Sequence, residues 1–364
     1  MASDHTPTPA ARLAAYKQAI DDDIVEYAKH VRANTRTQYG PFASLEVDAF
    51  LDMLSRGGKR IRGALVLAGY EMCGGTDQAM IMHAARAIEM MHAYILIVDD
   101  IQDRAILRRG KPATYRFFTE YHKTHHLKGD ADHTGVALAL NAAMSGAHAA
   151  EIILANLPAE PQLRLNVLSI MNRTMVITYH GQMTDIMNGL VDEVDPRDIN
   201  RVLEWKTALY SFINPLHVGM VLAGAGCEHT DAITPFARHV GMAFQITDDI
   251  LGIFGNEQEV GKSPLDDIRE GKATLLSTYA LAHAPAADAA FLRRSLGDAV
   301  ITLPAFNRCK TIIEASGALD YARARAHTEV QQALRALNAK AALWPEPYVT
   351  FLRGLATQIQ NRTA

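Results

Sequence analysis

An all-α protein is predicted by three features of this sequence. Apolar residues recur at helical rather than alternating spacing, Ala, Leu and Met are abundant, and Gly or Pro breaks separate the long segments. Neither a strand-hairpin pattern nor a fixed-period repeat is visible. Helices are expected at roughly 10–34, 43–56, 59–73, 77–104, 112–124, 133–157, 160–190, 196–225, 231–254, 266–283, 287–302, 304–316, 318–339 and 344–362. The breaks are Gly57-Gly58, Gly74-Gly75, Gly110-Lys111-Pro112, Pro196, Pro235 and the stretch 255–264.

A length of 364 residues would suit about two domains. No Pro/Ser-rich linker divides the chain, however, and long helices with short connections argue for one large bundle with its site between facing helices. The expected organisation is a disordered tail over 1–10 and a single domain over 11–364. A net charge of -4 gives no basic bias toward nucleic acid. Cys73, Cys227 and Cys309 show no metal-ligand or disulfide spacing, which fits a reducing cytoplasm. The first residues lack the basic and apolar regions of a secretory signal. The run 80–98 comes nearest to a membrane span, but His83, Arg86, Glu89 and His92 interrupt it, so no transmembrane segment is expected. His122, His125, His126 and His133 read as a solvated loop rather than a metal site.

Two acidic clusters carry the chemistry. Asp99-Asp100-Ile101-Gln102-Asp103 ends one long apolar helix, and positions three and four apart share a helical face, so all three acids can point to one centre. Mg²⁺ takes hard oxygen ligands, commonly one or two carboxylates plus substrate phosphates. A merely solvated helix end is the bland alternative; the apolar run 93–98 argues against it. Arg108-Arg109-Gly110 follows, and a guanidinium fork matches phosphate oxygens. Upstream, Gly57-Gly58-Lys59-Arg60-Ile61-Arg62 leads into a helix with three cations at its start.

The second cluster, Phe244-Gln245-Ile246-Thr247-Asp248-Asp249, has Gly252 in place of a third acid. Lys262 and Arg269-Glu270-Gly271-Lys272 lie downstream, where a Gly-rich segment with a Lys suits a phosphate cover. Lys206-Thr207 and the pair Gln182 and Asp185 stand on further helices. Together the acids and cations point to Mg²⁺ ions holding a diphosphate.

These residues, in order, resemble the trans-type isoprenyl diphosphate synthases of the polyprenyl synthetase family. The likeness runs through the Gly57–Arg62 segment, Asp99–Asp103 with Arg108-Arg109-Gly110, Gly181-Gln182-Met183-Thr184-Asp185, Lys206-Thr207, Phe244–Asp249, and Gly261-Lys262 to Gly271-Lys272. It implies an all-α bundle around a deep central cavity, a homodimer, and Mg²⁺-dependent head-to-tail condensation of isopentenyl diphosphate with an allylic diphosphate. By motif position it implies that Asp99, Asp100, Asp103, Asp248 and Asp249 serve three Mg²⁺. Arg108, Lys206 and Lys262 would hold the allylic diphosphate, with Gln245 nearby. Lys59, Arg62, His92 and Arg109 would hold isopentenyl diphosphate, Lys272 would close over the site, and Thr207 and Gln182 would line the path of the allylic cation.

Two departures stand out. Gly252 replaces the last Asp of the second motif, for which weakened metal affinity rather than inactivity is expected, and Gly63 stands where many members have Pro. Product length is expected to depend on the cavity floor below Asp99. A helix rises about 5.4 Å per turn, roughly one isoprene unit, so Tyr94 and Ile95, then Met91, then Ile88 are successive floors. This pattern is most similar to that of geranylgeranyl-producing (C20) members, with C15 or C25 and longer products as alternatives. A terpene cyclase would share the ionisation chemistry but needs no second diphosphate site. A non-catalytic partner subunit would be expected to lose an acid pair, and both pairs are present.

Overall fold

A computed structural model of the chain describes residues 7–255 and 264–361. Among the described residues the fold is all-α apart from one minute β-ribbon. The chain packs as two compact units, one formed by 11–169 with 218–224 and the other by 1–10, 170–217 and 225–364. This differs from the expected single domain over 11–364. No linker marked the division in the sequence because the changeovers after 169 and 217 fall inside continuous helices.

In the first unit, α1 (Pro9–Ser55) joins the two helices expected at 10–34 and 43–56, with a kink at Gly40, where φ is 81°, next to Pro41. The helix also takes in Pro9 and Ala10, the end of the expected tail. Following it are α2 (Ile61–Met72), α3 (Gln78–Gln102), α4 (Thr114–Thr124) and α5 (Ala131–Ala155). The side chains of Asp77 and Asp130 accept backbone N–H groups at the starts of α3 and α5. Gly146 of α5 lets the Phe50 ring of α1 sit where a Cβ would project.

α3 and α5 are each long and apolar enough to cross a membrane by length and composition alone. α3, though, packs against α2 and α5 and buries Arg86 and Glu89 along its length, with Asp100 buried in its last turn. Arg86 pairs with Asp23, and Glu89 pairs with Arg60. Arg60, only 4% exposed, also donates to Asp21 and to the Leu54 carbonyl. The other oxygen of Glu89 accepts the Gly63 N–H at 2.9 Å. That bond accounts for Gly63: proline has no N–H to give, and a Cβ there would stand 2.8 Å from Ile20 Cδ1.

Between α3 and α4, β1 (Leu107–Arg108) and β2 (Lys111–Pro112) pair antiparallel, with Arg108 opposite Lys111. Arg109 and Gly110 make the turn with φ of 53° and 73°, the positive-φ pair of a two-residue hairpin. Strands of two residues are too short to show alternation, which is why no hairpin was legible in the sequence.

α6 (Pro161–Asn188) begins in the first unit, passes into the second at 170 and leads to α7 (Pro196–Arg201). A π-helical segment, Val202–Ile213, continues without a break into α8 (Asn214–Leu222), so the single helix expected at 196–225 is locally widened. Next come α9 (Cys227–Phe254), α10 (Asp266–Arg269), α11 (Leu275–His283), α12 (Ala286–Ser295), α13 (Leu303–Ala315), α14 (Ala318–Lys340) and α15 (Glu346–Asn361). The helix expected at 266–283 is cut at Gly271, where φ is 68°, and restarts at a reciprocal cap between Thr274 and Ser277. α9 packs on α14 and on the π segment. Ile246, Ile250 and Ile253 bury its apolar face among Leu276, Ile313 and Ala322, each isoleucine stabilising the unit by about 1.5–3 kcal/mol.

Candidate active site

The first acidic cluster closes α3. Asp99 and Asp100 occupy the last turn and Asp103 caps it, its N–H donating to the Asp99 carbonyl at 2.8 Å while the Arg104 N–H donates to that of Ile101 at 3.3 Å. Asp100 is fully buried, whereas Asp99 and Asp103 are half-buried. The ribbon returns Arg108 onto this turn. Its Nε donates to Asp100 Oδ1 at 2.6 Å, and Nη2 reaches Asp100 and also Asp99 Oδ2, the latter at 3.4 Å. Burial pushes the Asp100 carboxyl up to about 6 despite Arg108, with Asp99 and Asp103 adding to the rise. Burial works against the Arg108 guanidinium, but Asp100 and Asp99 outweigh it and hold it above its ordinary value. Asp100 Oδ2 is buried with no hydrogen-bond partner, an orphan lone pair in a carboxylate cluster.

A cationic group adjoins it. Arg62 Nη1 donates to His92 Nε2 at 3.2 Å. Burial, then Arg62, Arg109, Arg108 and Arg60 in turn, hold His92 well below its usual value, so it stays neutral. The Arg109 guanidinium donates to the Gly57 carbonyl and lies over Gly58, where a Cβ would meet Nη2 at 2.9 Å. With φ at 125°, Gly58 is suited to the position on both counts. Burial, then Arg60, lower Arg109 to about 10. Of the expected group, Arg62, His92 and Arg109 are brought together, and Lys59 is exposed at the start of the same segment. The surplus of positive charge suits a polyanion that arrives without metal.

The second acidic cluster lies along α9. Thr207 Oγ1, from the π segment, donates to Gln245 Oε1 at 2.6 Å, and Gln245 Nε2 donates to Asp249 Oδ1 at 2.7 Å. Lys206 pairs with Asp185 of α6 at 2.7 Å. Gly181 permits this approach, since a Cβ would stand 2.6 Å from the Lys206 nitrogen. Burial, then Asp267, push Asp249 up to about 8; Asp185 adds to the rise, while Gln245 and Lys272 oppose it. Lys272 pairs with Glu270 at 2.9 Å. Asp248 and Gln182 are half-buried. Lys262 lies outside the described residues. On α3, Met91 and Ile88 are buried, and Tyr94 and Ile95 are half-buried.

Both clusters suit a hard divalent cation. The orphan Asp100 oxygen, and the burial and neighbouring acids that raise Asp249, are what such a cation would offset. Two functional neighbours, Glu89 and Asp267, escaped the sequence reading, and Arg60 was read only as one of three cations at a helix start, not as the partner of Glu89. Arg60 and Glu89 carried no sequence signal for their pairing across α2 and α3. Asp266-Asp267 was a further adjacent acid pair with Arg269 just beyond it, and the reasoning used for the first two clusters would have found it.

The polyprenyl synthetase family model matches residues 46–304. The geranylfarnesyl diphosphate synthase of Aeropyrum pernix is 31% identical over 299 residues, covering 81% of this chain and 87% of that protein. The (2E,6E)-farnesyl diphosphate synthase of Mycobacterium tuberculosis is 30% identical over 310 residues, covering 84% and 80%. Among solved structures, geranylgeranyl pyrophosphate synthase from Corynebacterium glutamicum, complexed with isoprenyl diphosphate and magnesium, aligns with a TM-score of 0.89 at 27% identity, covering 95% of this chain and 98% of that one.

Proposed function

We propose, from the premise that this chain belongs to the polyprenyl synthetase family and is a prenyltransferase, that it joins isopentenyl diphosphate head-to-tail to an allylic diphosphate and releases an all-trans C20 prenyl diphosphate. One observation carries the choice of elongation over cyclisation. Arg62, His92 and Arg109 form a cationic group apart from the carboxylates, with Arg60 and Arg108 adding to its charge. A cyclase, which handles one diphosphate, has no use for it.

In this reading Asp99, Asp100, Asp103, Asp248 and Asp249 hold Mg²⁺, which when bound supplies countercharge to the departing diphosphate. Arg108, Lys206 and Lys262 bind the allylic diphosphate, and Lys272 closes over it. Lys59, Arg62, His92 and Arg109 orient isopentenyl diphosphate. The hydrogen bond from Thr207 holds Gln245 with its amide nitrogen committed to Asp249, and Thr207 and Gln182 line the path of the carbocation. Apolar side chains of α3 exclude the water that would quench it.

Relatives are named for farnesyl, geranylgeranyl, geranylfarnesyl and heptaprenyl products, and the first three support a short chain. Tyr94 and Ile95 supply the floor that favours C20. The homodimer of this proposal uses the outer stripe of α6, where Val176, Tyr179, Met183 and Met187 are exposed at helical spacing, with Leu190 exposed just beyond its end. A cytoplasmic location completes it.

The test is a product assay with purified protein, Mg²⁺, labelled isopentenyl diphosphate and, separately, dimethylallyl, geranyl and farnesyl diphosphates, followed by dephosphorylation and sizing. A C20 prenol supports the proposal, and a C15 or longer prenol moves the floor. A cyclic hydrocarbon made from an allylic diphosphate alone defeats it.

A further inference from the structure

Gly252 is the position at which the second acidic cluster lacks its third carboxylate, and the space it leaves open is filled. A Cβ built on Gly252 would stand 2.1 Å from Asp267 Oδ2 and 3.1 Å from Asp267 Cγ. No side chain fits at 252 while Asp267 keeps its place. Gly252 follows Asp249 by three residues and Asp248 by four on α9, so the Asp267 carboxylate lies along the same helical face as both. The chain reaches this place from α10, whose turn is fixed by the Lys272 N–H donating to the Asp267 carbonyl at 3.1 Å.

We infer that Asp267 is the third carboxylate of the second cluster, delivered from α10 into the room that Gly252 vacates, and that it acts toward the same Mg²⁺ as Asp248 and Asp249. This inference rests on the proposed diphosphate chemistry. The alternative is that Asp267 serves only as an acid in the first turn of α10. That helix has four residues, too few for its dipole to gain much from an acid. Asp267 is also only 6% exposed, so its carboxylate is held inside the unit rather than on its surface. The pairing of a missing side chain at 252 with a carboxylate filling its place is therefore a relocation of the acid, and the weakened metal affinity expected from Gly252 alone does not follow.

The experiment follows thermal unfolding of the full-length protein during Mg²⁺ titration with inorganic pyrophosphate present, alongside the product assay. Asp267→Asn keeps the size and removes the charge. It is expected to raise the Mg²⁺ concentration for half-maximal stabilisation by about tenfold or more. The exchange variant Gly252→Asp/Asp267→Gly returns the acid to α9 and is expected to recover most of the Mg²⁺ response. An unchanged Mg²⁺ response in Asp267→Asn overturns the inference. So does a lowered metal-free melting temperature that the exchange leaves uncorrected, which marks a structural role. A wild-type protein that makes no prenyl product and gains no stability from Mg²⁺ with pyrophosphate overturns the proposed function itself.

Discussion

The two acidic clusters solve one electrostatic problem in opposite ways. The first is local: Asp99, Asp100 and Asp103 stand on one helical turn, and Arg108, a few residues on, folds back over a hairpin to neutralise them. The second is assembled: Asp185 comes from α6, Asp248 and Asp249 from α9, and Asp267 from α10, with Lys206 paired to Asp185 and Lys272 opposing the rise of Asp249. The protein's own arginine leaves the buried Asp100 at about 6, whereas Asp249, facing other acids, is pushed up to about 8. The comparison teaches that the first cluster is closed by a neighbour along the chain, whereas the second depends on helices far apart in sequence.

The comparison breaks most directly at Asp100. Asp100→Ala should lower turnover by about 10³-fold, read as label incorporated from isopentenyl diphosphate; near-normal activity would remove the metal assignment from the first cluster. Next, Arg108→Gln should make the first cluster resemble the second. It leaves Asp100 buried without its cation, at a cost of about 3–5 kcal/mol in chemical denaturation. Added Mg²⁺ with pyrophosphate should recover part of that loss, and no recovery would mean that Arg108 and the metal do not share this charge.

The pH dependence sharpens the contrast. A carboxyl whose folded-state pKa is raised contributes stability that is full below its unfolded value and is lost as pH rises through the folded value. For Asp100 that loss runs from the ordinary 3.8 to about 6, and for Asp249 from 3.8 to about 8. Without metal, Asp249→Asn should therefore gain melting temperature over wild type progressively up to about pH 8. Asp100→Asn should stop diverging near pH 6. Equal windows for the two variants would erase the distinction. The smallest effect concerns length alone. Tyr94→Ala should shift the product to longer prenols with little change in rate, and an unchanged product would place the floor elsewhere.

What was legible in the sequence was what lies close along the chain. Helical spacing revealed α3 and α9 to within a few residues, and the one-turn grouping of Asp99, Asp100 and Asp103 followed from that spacing. The ribbon was missed because two-residue strands have no period. The cut at Gly271 was missed because apolar residues continue on both sides of it. Gly63 read as a departure until Glu89, on another helix, was seen to take its N–H.

By itself the sequence determined the helical class, the two acid motifs and the cations beside them, because helix periodicity and motif spacing are properties of neighbours along the chain. Only the tertiary structure decided which charges meet: that Arg62 faces His92, that Arg108 closes on Asp100, and that Asp267 stands where Gly252 has no side chain. Such pairings arise when helices distant in sequence pack within a few ångströms, where burial and Coulomb energy act across space rather than along the backbone.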